Sequence, residues 1–266
     1  MYSSQSHWVE LYSALMDYEG PDVFSDVLKS WAGVQAHERC WLADFAKRGA
    51  GPATNEELCR LYAASRVTET LLLRFQTGSA DGSEYNGPAI SLDELQQFHE
   101  MMGFRIPKPT AFHPYFHEII AVKQSSHADA PIELVDQAWP VLMLGDMMYC
   151  RAGCVVAGGT NQLIKEIAER SKLYWAYRRK NRPYEDQSHG WGSNSQWRTR
   201  LRRDYQTSDG FRFNVDGDKS LNGITGNIDD DEVSTLLELV RHRCRILTHA
   251  NDDEFYPYPY SYSELA

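Results

Sequence analysis

One short segment, 188–199, gathers residue types that often bind small molecules. It holds a histidine, two glycines, three small polar residues, two tryptophans and an arginine: His189, Gly190, Trp191, Gly192, Ser193, Asn194, Ser195, Trp197 and Arg198. Glycine lets backbone approach a ligand closely, tryptophan offers a flat apolar wall with one N–H, and arginine binds a carboxylate as a rigid fork. We therefore expect this segment to contribute to a binding site.

His189 has three candidate roles. A planar cofactor such as haem needs an axial histidine, apolar or aromatic walls, and cations for its propionates. The tryptophans beside His189 match the walls, and the region 165–203, with eleven lysines and arginines against four acidic residues, matches the cations. Alternatively, His189 closes a hydrogen-bonded turn or binds a substrate directly.

A second candidate site contains His113 and His117, four residues apart. If the chain is helical from Tyr115 onward, the two histidines lie one turn from each other. Such a pair can exchange protons, bind a metal ion, or serve only as buried structural residues. Glu118 follows the second histidine rather than the first, so the arrangement of a zinc protease is absent.

These residues resemble the histidine-ligated, haem-dependent aromatic oxygenases, the group that contains tryptophan 2,3-dioxygenase and haem-dependent tyrosine hydroxylases. The stretch 117–124 is similar to the distal helix of the dioxygenases. The stretches 175–179 and 190–195 are similar to their proximal helix and substrate loop. The stretch 189–193 matches the haem-attachment pattern of one hydroxylase branch, with Ser193 in place of its cysteine.

The resemblance implies a function and a set of roles. His189 would ligate the iron of a non-covalently bound haem b, and His117, or alternatively His113, would be the distal acid–base group. The remaining roles concern two ligands. The haem would be bound by Trp191, Arg178 and Arg179. The substrate carboxylate would bind to Arg198, its polar groups would be oriented by Asn194 and Ser195, and its ring would pack against Trp197. The implied reaction is ortho-hydroxylation of L-tyrosine to L-DOPA with hydrogen peroxide, in antibiotic biosynthesis, by a homodimer.

Composition limits the partners. The formal charge of −10 opposes general affinity for nucleic acids. The five cysteines do not form an even disulfide framework, and no apolar run is long enough to span a membrane. We therefore expect a cytoplasmic protein that binds neither nucleic acid nor membrane.

The secondary-structure elements that position these candidate residues are predicted to be mainly helices. Apolar residues recur at helical spacing over 22–47, and the pairs Thr54 with Glu57 and Ser91 with Glu94 have the spacing of capping boxes. We expect further helices over 112–124 and 132–156 and after the acidic run 229–232. Alternating residues predict one β-hairpin over about 196–215. The expected fold is therefore a single mainly α domain over 1–266, with a small hairpin insertion and a non-helical tail over 250–266.

Two other functions fit the same sequence. One is a non-haem metalloenzyme in which His113, His117 and a carboxylate such as Glu118 bind iron or zinc. The other is a non-catalytic binding module whose arginine-rich hairpin docks an acidic partner. The four arginines of that hairpin are Arg198, Arg200, Arg202 and Arg203. The second alternative predicts association that weakens strongly with salt.

Overall fold

The computed structural model describes residues 6–79, 82–186, 197–223, 229–249 and 255–265. The described residues up to Met101 contain helices and no strands, as predicted. The helices are α1 (Ser6–Met16), α2 (Lys29–Val34), α3 (Ala36–Ala46), α4 (Asn55–Leu72) and α5 (Leu92–Met101), with a π-helical turn (Phe24–Leu28) before α2 and a 3-10 turn (Leu73–Phe75) after α4. Both predicted capping boxes are present, at the N-termini of α4 and α5. They fix where these two helices begin, because each cap satisfies N–H groups that the helix leaves unbonded.

Helix α4 lies at the centre of the helical part. Fourteen of its eighteen residues are buried, so the helix is enclosed on nearly all sides. Its apolar residues join α1 and α5 in the main hydrophobic core. Polar side chains on α4 therefore sit inside the protein, and each needs a partner.

The prediction of a mainly α fold is wrong, and the described residues form a mixed α/β structure. Residues 112–124 are not a helix; they contain β1 (His117–Gln124). The stretch has two adjacent isoleucines and a valine, which favour a strand over a helix because branched side chains at Cβ are crowded in a helix.

The long helix predicted over 132–156 is also wrong. The chain instead forms β2 (Glu133–Gln137), β3 (Leu142–Leu144), β4 (Met147–Cys150) and β5 (Ala152–Gly158). Strands β3 and β4 pair through a two-residue turn, in which Gly145 has a φ of 59°. A continuous apolar run does not distinguish buried strands from a buried helix, and the Gly145-Asp146 pair was the missed signal for a hairpin.

The strands form three sheets. In the first, β5 lies between β1, to which it is parallel, and β2, to which it is antiparallel. The second has six strands in the order β10-β11-β9-β8-β4-β3 and includes β8 (Asp204–Thr207), β9 (Gly210–Phe213), β10 (Lys219–Ser220) and β11 (Tyr260–Leu265). The third pairs β6 (Leu173–Tyr174) with β7 (Tyr184–Glu185).

The predicted hairpin is present, but it is not an insertion in a helical domain. Strands β8 and β9 pair with register Thr207 to Gly210, in the middle of the six-stranded sheet. Strand β11 in the tail adds to β9. Two helices complete the fold: α6 (Lys165–Arg170) packs on β1, and α7 (Asp230–His242), which follows the acidic run as predicted, packs on β11.

Candidate functional site

A cleft lies where α4 meets β4, the chain after β6 and the chain leading into β8. Its cavity volume is about 30 Å³, which is room for one or two water molecules. Aromatic and charged side chains predominate in its lining. The described lining residues are Tyr62, Ser65, Thr68, Glu69, Tyr149, Cys150, Trp175, Tyr177, Asp186, Thr199, Arg200, Leu201, Arg202 and Arg243.

Helix α4 supplies one wall. Tyr62, Ser65 and Glu69 are three, four and seven residues apart, so they lie on one face of the helix. Because the rest of α4 is packed into the core, this face is held in a fixed position. The cleft wall is therefore rigid where Glu69 enters it.

The floor of the cleft contains a buried cluster of charges centred on Asp204. Its Oδ1 accepts hydrogen bonds from Arg202 Nε (2.8 Å) and the Asn214 backbone N–H (2.7 Å), and its Oδ2 accepts from Arg151 Nη2 (3.2 Å) and Arg243 Nη2 (3.1 Å). One carboxylate thus faces three guanidinium groups. Burial lowers the pKa of Arg202 to about 10 and that of Arg151 to about 9, because the interior disfavours unbalanced positive charge.

The same cluster leaves N–H groups without partners. Among the described residues, Arg202 Nη1, Arg243 Nε, and Nε and Nη1 of Arg151 are buried and make no hydrogen bond. Arg202 and Arg243 line the cleft. An unsatisfied buried donor costs about 1–3 kcal/mol, and more when it is charged. A carboxylate or phosphate group of a ligand beside Arg202 and Arg243 would balance the positive charge of this cluster.

A second charged cluster contains two carboxyl groups, those of Glu69 and Glu118, which share one cation, Arg179. Arg179 donates to Glu118 through Nε (2.9 Å) and Nη2 (3.0 Å), and to Glu69 through Nη1 (3.2 Å) and Nη2 (3.3 Å). Glu69 Oε2 also accepts the Tyr177 N–H at 2.5 Å. Of the two carboxylates, Glu69 lines the cleft.

A second carboxylate, Asp186, lies on the cleft beside Tyr62. The Tyr62 hydroxyl donates to Asp186, with 2.6 Å between Tyr62 Oη and Asp186 Oδ1. Both side chains are buried and both line the cleft. The cleft therefore carries cations on its floor and carboxylates on its walls.

The aromatic walls are braced from behind. Tyr177 covers the guanidinium of Arg66 at 3.8 Å, and Tyr12 and Trp197 approach the same guanidinium at 4.9 Å. Trp175 stacks on Arg202 at 4.1 Å, and its backbone has a φ of 56°. Left-handed backbone is uncommon for a tryptophan and persists where surrounding contacts hold it. These contacts fix the orientation of both rings.

The structure brings His113 and His117 together, but away from the described cleft lining. The backbone N–H of His113 donates to His117 Nδ1 at 3.1 Å, and His117 Nε2 lies 3.2 Å from Gln137 Nε2. The Tyr115 N–H donates to His113 Nδ1 at 3.1 Å. Burial lowers the pKa of His117 and lowers that of His113 to about 4, so both are neutral at pH 7.

The predicted cofactor and substrate residues have separate positions. Arg179 is committed to two carboxylates, and Arg178 donates to Ser83 Oγ at 2.9 Å. Trp197 packs behind the cleft wall on Tyr12, and Arg198 is exposed. The other predicted site residues lie outside the described residues; they are His189, Trp191, Asn194 and Ser195. In the sequence they fall between Asp186 and Thr199, which both line the cleft.

The described residues do not form a histidine-ligated haem site. None of the described side chains that line the cleft is a histidine, and Arg179 is not available for a propionate. In the same ranges, no group of three or more histidine, cysteine, aspartate or glutamate side chains is arranged to hold a metal ion. Glu118, the carboxylate of the alternative metal site, pairs instead with Arg179.

Sequence reasoning missed the residues that give the cleft its charge. The sequence did not indicate Glu69, Asp186 or Arg243, and it indicated Arg202 only as part of the arginine-rich hairpin. A signal was present in α4, where Arg60, Arg66 and Glu69 lie among the apolar residues of the helix. Charged residues on a buried helix must be paired or bind a ligand, so this criterion would have indicated the charged residues of α4.

No helix in the described ranges is long and apolar enough to cross a membrane. The chain matches no family model, no curated protein and no solved structure.

Proposed function

We propose that the protein is an enzyme whose cleft binds an aromatic amino acid as substrate. The observation that carries the proposal is the cleft floor, where Arg202 and Arg243 have buried N–H groups without partners beside a single carboxylate, Asp204. This arrangement favours a ligand that brings an anionic group.

The rest of the cleft indicates what else the ligand carries. Its carboxylate would accept hydrogen bonds from Arg202 and Arg243. Its ammonium group would face the carboxylates of Glu69 and Asp186, and its ring would lie against the aromatic walls that include Tyr177. A zwitterion with an aromatic side chain combines all three features.

The reaction stays the one that the family resemblance implies, hydroxylation of L-tyrosine with a haem. The described residues give no geometry for that step: His189 lies outside them, and His113 and His117, the predicted acid–base groups, do not line the cleft. An absorption spectrum of protein produced with added haem precursor tests the cofactor separately from the cleft. A Soret band that is lost in His189→Ala supports the haem, and a visible region without bands after reconstitution refutes it.

The two alternative functions gain less support. The three predicted ligands of the metal site, His113, His117 and Glu118, already have hydrogen-bonding partners inside the protein. In the arginine-rich hairpin, Arg202 and Arg203 are buried and paired with Asp204 and Asp216, which leaves Arg198 and Arg200 exposed.

The binding proposal is tested by calorimetric titration with three matched ligands. L-Tyrosine carries both charged groups, tyramine lacks the carboxylate, and 3-(4-hydroxyphenyl)propanoate lacks the ammonium. We expect tyramine to bind about 10–100-fold more weakly than L-tyrosine, because it brings no anion to the arginines of the cleft floor. Equal affinity for tyramine and L-tyrosine, or no binding of any of the three, refutes the proposal.

A pair of variants at Ser65 locates the binding. Ser65 lines the cleft, and its hydroxyl donates only to the Tyr62 carbonyl of its own helix. Ser65→Leu fills the cleft without changing its charge and is expected to abolish binding. Ser65→Ala leaves the space open and is expected to keep it. Binding that survives in Ser65→Leu shows that the ligand sits elsewhere.

A further inference from the structure

The positive charge of the cleft floor exceeds the negative charge of its one carboxylate by two. Arg202 Nε lies 2.8 Å from Asp204 Oδ1, and Nη2 of Arg151 and of Arg243 lie 3.2 and 3.1 Å from Asp204 Oδ2. Burial and the charge of Arg243 lower the pKa of Arg202, and the carboxylate that opposes them is that of Asp204. Three guanidinium groups therefore depend on one anion.

The neighbouring cluster of charges does not remove this excess. Its two carboxylates, Glu69 and Glu118, both accept hydrogen bonds from Arg179. Burial acts to raise the pKa of Glu118, but Arg179 and then Arg182 lower it, so Arg182 is a second cation near that carboxylate. Two carboxylates thus face two guanidinium groups, and the cluster has no spare negative charge for the cleft floor.

The rest of the lining adds one charge of each sign. Asp186 supplies a carboxylate, which accepts a hydrogen bond from the Tyr62 hydroxyl at 2.6 Å. Arg200 supplies a guanidinium group, whose Nε donates to the neutral side chain of Asn55 at 2.6 Å. The sequence 187–196, which follows Asp186, contains no aspartate or glutamate and cannot bring a further carboxylate to the cleft.

We infer that the cationic end of the cleft, formed by Arg200, Arg202 and Arg243, binds a phosphate-type dianion, either inorganic phosphate or the phosphate group of a monoester. A carboxylate would cancel half of the excess charge, whereas a dianion would cancel all of it. Arg200 is exposed and the side chain of Arg243 is 14% exposed, so an anion in the cleft can reach both. Guanidinium groups also bind phosphate oxygens through paired N–H groups.

This ligand class goes beyond the proposed function, because a phosphate would compete with the carboxylate of the amino acid for the same arginines. A phosphate group is also compact, so a cavity of about 30 Å³ admits it more readily than a larger anionic group.

The test is calorimetric titration with phenyl phosphate and phenyl sulfate, two esters of nearly the same shape that differ in charge. At about pH 8 the phosphate ester is a dianion and the sulfate ester a monoanion. We expect phenyl phosphate to bind at least about tenfold more tightly, because its second charge meets unbalanced guanidinium groups. At about pH 5 the phosphate ester takes up a proton, and the preference is expected to disappear. Equal affinity of the two esters at about pH 8, or no binding of either, overturns the inference.

Two pairs of measurements locate the site and identify the source of the phosphate. Ser65→Leu is expected to abolish binding of phenyl phosphate and Ser65→Ala to keep it, because Ser65 lines the cleft. Arg200→Gln, at an exposed position, is expected to weaken phenyl phosphate more than phenyl sulfate. Binding that is unchanged in both Ser65→Leu and Arg200→Gln overturns the inference. Inorganic phosphate that binds as tightly as phenyl phosphate supports the free ion as ligand, and weaker binding supports a monoester.

Competition with L-tyrosine separates this inference from the proposed function. If both hold, inorganic phosphate lowers the apparent affinity for L-tyrosine, because both anions bind Arg202 and Arg243. L-Tyrosine binding without a preference for phenyl phosphate over phenyl sulfate overturns the inference and leaves the proposed function standing. Binding of phenyl phosphate by a protein that binds neither L-tyrosine nor its two analogues refutes the proposed function and supports the inference.

Discussion

Asp204→Asn tests whether the buried charge cluster is held together by a single carboxylate. The substitution keeps the shape of the side chain and removes its charge. In the native protein, four donors converge on the two carboxylate oxygens, from Arg151, Arg202, Arg243 and the backbone of Asn214. An asparagine has one acceptor oxygen, so its NH₂ group must face donors at the other position.

The cost follows from the burial of these groups. The side chains of Asp204, Arg151 and Arg202 are at most 1% exposed, and that of Arg243 is 14% exposed. Removing one partner of a buried ion pair typically costs about 3–5 kcal/mol, since it leaves an uncompensated charge. We expect a loss of that size in the free energy of unfolding, which is about a fifth or more of the usual stability of about 5–15 kcal/mol.

The effect should depend on pH with a defined sign. Burial acts to raise the pKa of Asp204, but Arg202, Arg243 and Arg151 lower it well below its usual value. The stabilisation by Asp204 is therefore complete above the unfolded-state pKa of about 3.9 and is lost as the pH falls towards the lower pKa of the folded state. The difference between wild-type and variant proteins should shrink below about pH 4.

The assay is urea denaturation at pH 7 and at a series of lower pH values. The control is Asp146→Asn, because Asp146 pairs with Arg105 at 3.4 Å on the surface, with side chains 70% and 56% exposed. The control should lose less than about 1 kcal/mol. A loss of under about 1 kcal/mol for Asp204→Asn, or a loss that does not change as the pH falls, would refute the reasoning.

Two further predictions concern stability. His99 is fully buried and bonded at both ring nitrogens, and burial lowers its pKa to about 4. Neutral His99 therefore stabilises the folded protein above the unfolded-state pKa of about 6.5. Because the folded-state pKa is lower, the free energy of unfolding should fall by about 3 kcal/mol between pH 6.5 and 4. Urea denaturation should show that loss, and His99→Gln should lack it. Gly153→Ala should cost about 1–3 kcal/mol, because the new Cβ would lie 2.4 Å from the buried Trp139 ring. Gly33→Ala, on α2 with no atom within 4 Å of the new Cβ, should stabilise by about 0.5–1 kcal/mol, and equal effects of the two substitutions would contradict the packing argument.

The helical part was predictable because its signals are local. A capping box such as Thr54 with Glu57 needs only four consecutive residues, and it marks the start of α4 correctly. Apart from the predicted β8–β9 hairpin, the strands were not predictable in the same way. Strand β1 pairs with β5, and β8 pairs with β4, so partners distant in sequence decide whether these residues are strands.

The candidate site was predictable in character but not in its members. The excess of lysines and arginines over 165–203 indicated an anion-binding site, and Arg202, which lies in this range, is on the cleft floor. Arg243 lies about forty residues after Arg202, and Glu69 lies more than a hundred residues before Arg202. Only the folded structure therefore brings these three residues to one cleft. The two predicted histidines His113 and His117 were placed on a helix, whereas His117 begins a strand.

The excess of guanidinium groups over carboxylates on the cleft floor connects the lifetime of the protein to its ligand. A ligand that binds only the folded chain stabilises it by about 2.7 kcal/mol at a concentration one hundred times its Kd. The empty protein carries the cost of unsatisfied Arg202 and Arg243, so it opens more often than the occupied protein. Proteases act on opened chains, and abundance in a cell changes several-fold for 1–2 kcal/mol of stability. The amount of this protein should therefore rise and fall with the supply of the molecule that fills its cleft.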